Sequence, residues 1–187
     1  MPLRHLVDLA DLSPAEIRAI IARASELKRR RAAGEKPPIF ERKVLAMIFE
    51  KSSTRTRVSF EAAMIEGGGG AIFLAPKDTQ LGRGEPIEDT ARVLSEMCDA
   101  IMVRTFEHSN VERLAACATV PVINGLTDKS HPCQILADLQ TYFERRGDIA
   151  GRKVAWIGDG NNMCNSYMEA AALLDFELTV ATPAAYE

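Results

Sequence analysis

Lys43-Val44-Leu45-Ala46-Met47-Ile48-Phe49 is a nearly unbroken apolar run that empties into Glu50-Lys51-Ser52-Ser53-Thr54-Arg55-Thr56-Arg57-Val58-Ser59-Phe60-Glu61. An apolar run this short and this continuous reads as a strand buried on both faces, a property of parallel sheets covered by helices on each side. The chain beyond it turns helical, with Val58, Ala62 and Ile65 on one stripe and a stop at Gly67. Further apolar runs lie at 71–74, 100–103 and 120–123. Between them are helical stretches, one opening at Pro86 and carrying Ile87, Ala91, Leu94 and Cys98, another spanning 110–118. This β-α-β-α order predicts an α/β fold, a parallel sheet with helices on both faces.

Working toward the N-terminus, Ser13-Pro14-Ala15-Glu16 has Ser at the N-cap, Pro at N1 and Glu at N3, so a helix starts there with a capping box. Ile17, Ile20, Ile21 and Ala24 give it an apolar face, and Lys28-Arg29-Arg30-Arg31 complements the dipole at its end. The Gly67–Gly70 run reads as a helix stop followed by a flexible turn. Toward the C-terminus, a helix is expected over 132–146, ended by Gly147, then a strand at 153–157, a helix at 162–174 and a strand at 178–181. Two parallel strands cannot bury both faces of a sheet, so this second α/β unit reads as incomplete. The expected division is residues 1–147 and residues 148–187.

Composition sets the class. Of 187 residues, 47% are apolar and 26% charged, enough to build a core, and the formal net charge is −3. Without a basic excess, neither nucleic acid nor a membrane surface is an expected partner. No apolar run nears the roughly 20 residues that span a bilayer. The opening MPLRHLVDLADLS lacks the basic head and apolar stretch of a signal peptide, so a cytoplasmic protein is expected. Cys98, Cys117, Cys133 and Cys164 are spread singly, without paired spacing for zinc or a disulfide framework. No histidine and acid cluster has metal-ligand spacing, so no metal and no cofactor is expected.

In a parallel α/β sheet, ligands bind where strand ends lead into helix N-termini. The first strand exits into hydroxyls and two arginines crowded on the first turn of a helix. A helix N-terminus offers free N–H groups and partial positive charge, which suits a phosphate. Arginines there disfavour the helix itself, so an anionic partner is implied. The third strand exits at Arg104. The fourth exits through Asn124-Gly125-Leu126-Thr127-Asp128 into His131-Pro132-Cys133-Gln134, with Pro132 at a first helical position, His131 near the N-cap and Gln134 on the same side. Arginines nearby should keep His131 neutral, as a hydrogen-bond donor. There is no G-x-x-x-x-G-K-[ST] loop, and Gly158-Asp159-Gly160-Asn161-Asn162-Met163 has Met163 where a dinucleotide fingerprint needs its third glycine.

Ser53-Thr54-Arg55-Thr56-Arg57 resembles the S-T-R-T-R signature of the aspartate and ornithine carbamoyltransferase family. His131-Pro132-Cys133-Gln134 resembles its H-P-x-Q motif, and Arg104 falls where the family has a lone strand-end arginine. The resemblance implies a two-domain α/β enzyme without a cofactor, a homotrimer or a multiple of it, with active sites shared between neighbouring subunits. It implies a phosphate of carbamoyl phosphate held by Ser53, Thr54, Arg55 and Thr56, and a carbamoyl group surrounded by Arg104, His131, Gln134 and Thr56. Arg55, Arg104 and His131 would then be the catalytic donors. Gln80 matches the position that reaches into the adjacent subunit's site. Asn161-Asn162-Met163-Cys164-Asn165-Ser166 is similar to the N-N-M-x-N-S segment of the ornithine-using members. There Asn162 would contact the amino-acid end of L-ornithine, and it could also cap the helix it begins. Aspartate-using members carry a lysine on the second-strand loop, where this chain has Gly84. The implied reaction is carbamoyl transfer to the δ-amine of ornithine, giving citrulline and phosphate in arginine metabolism, with aspartate or a modified ornithine as the alternative acceptor. The family's S-M-G and H-C-L-P segments are absent from these 187 residues. The chain alone is therefore expected to bind carbamoyl phosphate without making citrulline, and its second-unit sheet edge to be prone to association.

Overall fold

The computed structural model describes residues 3–80 and 83–186. The chain forms two compact units, Met1–Val7 with Glu35–Thr127, and Asp8–Gly34 with Asp128–Glu187.

The first unit is built on a four-stranded parallel sheet. Its strands are β1 (Val44–Phe49), β2 (Gly70–Leu74), β3 (Ala100–Arg104) and β4 (Val122–Leu126), in the spatial order β2-β1-β3-β4. The pleat sorts side chains by parity. Ala46, Ile48, Ile101 and Val103 turn to one face, where Ile87 and Ala91 of α3 (Ile87–Met97) and Val111 and Leu114 of α4 (His108–Cys117) cover them. Leu45, Met47, Phe49 and Met102 turn to the other, against Met64 and Phe60 of α2 (Thr54–Glu66). Helices thus cover both faces, and β1 and β3 are buried on both as their runs imply, whereas the edge strand β2 is only partly covered, with Ile72 48% exposed.

Three local expectations differ. The apolar stripe of α2 is not Val58, Ala62 and Ile65. Val58 is 56% and Ile65 69% exposed, whereas Met64 is buried and Phe60 packs beside it. The helix carries two apolar stripes, and the sheet takes the one whose longer side chains fill the space above Met47 and Phe49. Strand β4 runs to Leu126 rather than ending at Ile123. Asn124 is fully buried there because its Nδ2 donates to the Val7 carbonyl at 2.8 Å. Gly125 fits because any Cβ would meet Met102 Sδ at 2.6 Å. Nor is Gly67–Gly70 a flexible turn. Gly68 sits at φ +82, and a Cβ on Gly69 would lie 2.7 Å from the carbonyl oxygens of both Lys43 and Phe40.

The second unit joins a 3-10 turn at Leu9–Asp11, α1 (Pro14–Ala32), α5 (Pro132–Arg146), α6 (Asn162–Leu174) and a two-stranded parallel sheet, β5 (Lys153–Ile157) and β6 (Glu177–Ala181). The capping box at Ser13 forms as the sequence requires, with Ser13 Oγ accepting from Glu16 N and Glu16 Oε2 accepting from Ser13 N. Leu9, Ile17, Ile21, Ile135, Leu139, Ala170 and Leu174 make its core. Helices α1 and α5 precede residue 147 in the chain but pack with α6, so packing and chain order draw different lines. Both strands show largely exposed faces, and Ile157 is 84% exposed. Among the described residues, no helix is long and apolar enough to cross a membrane.

Candidate active site

In the first unit the chain leaves β1 toward β2 on one side and later returns to β3 on the other. The crevice between the exits of β1 and β3 is therefore the switch point of the sheet, where open α/β folds hold ligands. Register puts Phe49 opposite Arg104 there.

Ser53 caps α2 in extended conformation. Its Oγ accepts from Thr56 N at 3.3 Å and donates to Thr56 Oγ1 at 3.0 Å. Such a cap satisfies one orphan N–H of the first turn and is worth about 1 kcal/mol, leaving the others for a ligand. Arg104 crosses from β3 to this turn. Its Nε donates to the Lys51 carbonyl at 3.2 Å and its Nη1 to Thr56 Oγ1 at 3.4 Å. Glu50 N donates to the Arg104 carbonyl at 2.9 Å, and Thr105 Oγ1 donates to the Glu50 carboxylate. The 50–53 loop is thus stapled to the end of β3. Ser53, Thr56 and Arg104 form one hydrogen-bonded cluster, with Thr54 and Arg55 on the same first turn.

The two arginines of the signature have different employment. Arg57 Nε donates to Glu61 Oε1 at 3.0 Å, and its guanidinium lies 3.8 Å from the centre of the Phe73 ring. Arg55 is exposed, and among the described residues neither it nor Arg104 has a carboxylate within ion-pair distance. Burial pulls the Arg104 guanidinium below the usual arginine range. It starts so high that it remains charged at neutral pH. A half-buried cation without a counter-charge is a cost in the free protein that a bound anion offsets.

Gln80 lies apart from this cluster. It is exposed after the edge strand β2, and its carbonyl accepts from Arg83 N at 2.8 Å and Glu85 N at 3.1 Å.

In the second unit His131 is the N-cap residue of α5, with Pro132 at N1. Its backbone N–H donates to Ser166 Oγ at 2.9 Å, and Ser166 Oγ donates to the Asn162 carbonyl at 3.0 Å. His131 and Asn162 are thus brought together through one hydroxyl. Gln134 is exposed, its Nε2 donating to Asp138 Oδ1 at 2.9 Å. Capping of α6 falls to Asn161, whose Oδ1 accepts from Met163 N and Cys164 N, not to Asn162. In the same motif the Cys133 residue is only partly covered, yet its thiol is enclosed and pushed up to about 12 by burial, so it is no nucleophile. A cavity of about 630 Å³ beside Leu139, Ile149 and Val154 takes in none of the residues singled out from the sequence.

Sequence reasoning missed two parts of this arrangement. The Lys51 carbonyl that orients Arg104 is a backbone group, and no residue type announces it. Ser166 stands in the sequence as no more than the last letter of a motif; its spacing of four from Asn162 is the one available signal.

Residues 4–144 match the family description "Aspartate/ornithine carbamoyltransferase, carbamoyl-P binding domain", and residues 150–187 match "Aspartate/ornithine carbamoyltransferase, Asp/Orn binding domain". An ornithine carbamoyltransferase of Acinetobacter baylyi is 64% identical over all 187 residues, and one of Methylococcus capsulatus is 65% identical. The chain spans 61% and 62% of the length of these two curated relatives. The crystal structure of ornithine carbamoyltransferase from Burkholderia thailandensis superposes with a TM-score of 0.95 at 50% identity, over 99% of this chain and 64% of that one. The enzyme from Pyrococcus furiosus gives 0.94 at 53% identity, over 98% of this chain and 59% of that one. With the strand-exit cluster and both family matches running in order along it, the chain belongs to the aspartate/ornithine carbamoyltransferase family.

Proposed function

We propose that the chain binds carbamoyl phosphate and that the whole protein transfers its carbamoyl group to the δ-amine of L-ornithine, giving L-citrulline and phosphate. The observation that carries this reading is a pair of arginines, Arg55 and Arg104, without carboxylate partners among the described residues, at a hydroxyl-lined helix N-terminus on the sheet's switch point. In this reading the phosphate sits on the first turn of α2, held by Ser53, Thr54, Arg55 and Thr56. The amine attacks the carbamoyl carbon and the carbonyl oxygen gains negative charge. Arg55, Arg104 and His131 donate to that oxygen, with Thr56 assisting and Gln134 beside the carbamoyl group; one such donor is worth roughly 3–4 kcal/mol. As the new C–N bond forms and the carbamoyl C–O bond breaks, the departing phosphate takes the proton the amine sheds and leaves as the dianion, stabilised by the helix N-terminus and Arg55.

Ornithine is favoured over aspartate as acceptor because Asn162 stands at the start of α6 and Gly84, not a lysine, stands in the loop after β2. In this assignment residues 1–147 bind carbamoyl phosphate and 148–187 begin the ornithine-binding part. Four free cysteines fit a reducing cytoplasm.

Arg55→Ala is expected to weaken carbamoyl phosphate binding by about tenfold in calorimetry, the loss of one charge-assisted contact. Arg57→Ala, whose partners are Glu61 and Phe73, should leave the affinity within about threefold. Equal losses in both variants would sink the assignment. A ureido-product assay of the whole protein with ornithine or aspartate identifies the acceptor.

The same reading includes a homotrimer with shared sites, in which exposed Gln80 serves a neighbouring subunit. The outer stripe of α2, with Val58 and Ile65 exposed, supports a face of this kind. Ile65→Glu is expected to lower the mass found by sedimentation to that of the monomer; an unchanged trimer would place the interface elsewhere.

A further inference from the structure

The second unit contains a set of bonds that the proposed chemistry does not use, all of them on the residues that lead into His131. Asn165 Nδ2 donates to the Lys129 carbonyl at 2.9 Å. Lys129 Nζ lies 2.8 Å from Asp8 Oδ2, and Ser130 Oγ donates to Asp8 Oδ1 at 2.5 Å. His131 N–H then donates to Ser166 Oγ at 2.9 Å. Residues 129, 130 and 131 are thus held by these four bonds, two from α6 and two from Asp8, the residue that caps the Leu9–Asp11 turn.

Ser166 is the bond that acts on His131 itself. Its side chain is almost fully buried, at 1% exposure, so water cannot replace the hydroxyl if it is lost. Its geometry is fixed from below, because Oγ donates back to the Asn162 carbonyl one turn earlier at 3.0 Å. A serine rotor committed in this way presents its lone pair in one direction. His131 in turn has non-helical backbone angles, φ −141 and ψ 70; its carbonyl accepts from Gln134 N at 3.1 Å and Ile135 N at 3.3 Å, but its own N–H lies outside the helix ladder and goes to Ser166 Oγ. The N–H bond to Ser166 fixes the peptide plane from which the ring projects.

We infer that Ser166 is a positioning residue for His131: it locks the backbone of the N-cap of α5 to the first turn of α6 so that the imidazole is aimed before substrate arrives. This rests on the carbamoyl-transfer reading for the role of His131. The Ser166–Asn162 bond also makes the start of α6 part of the same rigid piece, so the histidine and the proposed ornithine contact are set by one hydroxyl. Preorganisation of this kind lowers the ordering cost of binding.

The test uses Ser166→Ala, Ser166→Thr and Tyr167→Phe in the full chain. Threonine keeps a hydroxyl able to bond the carbonyl four residues back. Tyr167→Phe removes the bond to Asp138, 3.2 Å away, from the neighbouring position of α6 and controls for general loosening. In Ser166→Ala the His131 amide is expected to lose its protection from hydrogen exchange in NMR while the middle of α6 keeps its own. Carbamoyl phosphate affinity falls about tenfold in calorimetry. Ser166→Thr restores both, and Tyr167→Phe changes neither. Unaltered protection of His131 in Ser166→Ala overturns the inference whether or not ligand binds. So does loss of protection throughout α6, which would make the serine merely structural. If the unaltered chain binds no carbamoyl phosphate, the functional reading itself fails, and the role given to Ser166 falls with it.

Discussion

Replacing Arg104 by leucine is expected to weaken carbamoyl phosphate binding by about a hundredfold, more than the loss of Arg55, while the free protein stays as stable or becomes slightly more so. The asymmetry follows from burial. Arg55 is exposed on the first turn of α2 and contributes one contact. Arg104 is half-buried, its guanidinium is desolvated, and its fork spans from the Lys51 carbonyl to Thr56 Oγ1. In the free protein that charge has no carboxylate to offset its desolvation among the described residues, so removing it relieves a cost. With the anion bound, the same charge works in a site of low dielectric and its loss is felt in full. Arg104→Lys should not rescue binding, because an ammonium on a flexible stem cannot hold two acceptors in fixed directions. Calorimetry gives the affinities and a thermal melt without ligand gives the stability. Lysine binding within a factor of about three of the unaltered chain would show that charge alone is enough.

The largest effect on stability is expected at a glycine. Gly69→Ala should lower the free energy of unfolding by about 2–3 kcal/mol in urea, whereas Gly70→Ala next to it should change it by less than about 1 kcal/mol and in the stabilising direction. A Cβ at position 69 meets the oxygens of Lys43 and Phe40 at 2.7 Å. Neither oxygen can retreat. The Lys43 carbonyl accepts from Gly70 N at 2.9 Å, and the Phe40 carbonyl accepts from Lys43 N at 2.9 Å. The third neighbour, Met64 Cε at 2.9 Å, belongs to a flexible side chain and can move. At position 70 an added Cβ meets nothing within 4 Å, and alanine only reduces the freedom of the unfolded chain. Equal effects at the two positions would mean that the turn adapts and that its close approach is not obligatory.

Much of the strand-exit cluster is legible residue by residue. Arginines on the first turn of a helix contradict the helix dipole, and that local conflict marks Arg55 and Arg57 together from their sequence neighbours. Distinguishing Arg55 from Arg57 is not possible in the same way, since both follow threonine on the same turn. The Glu61 and Phe73 contacts show which one is occupied. The face of α2 departs from expectation for a related reason. Val58-Ala62-Ile65 and Phe60-Met64 are both helical stripes, and spacing alone ranks them equally.

Local chemistry along the chain determined the elements and their order: apolar runs that form parallel strands, a Ser13 capping box, a proline at the first position of α5, and strand exits rich in donors for an anion. These depend on neighbours a few residues apart, where backbone geometry fixes who can meet. Tertiary structure decided the rest. It brought Arg104 to Thr56 across 48 positions, held His131 by Ser166 across 35, and made Gly69 obligatory through carbonyls that no periodicity records. The physical reason is that these are contacts of direction and close approach, set by how strands register and helices dock, and a sequence pattern carries the sidedness of a residue but not the atom that will face it.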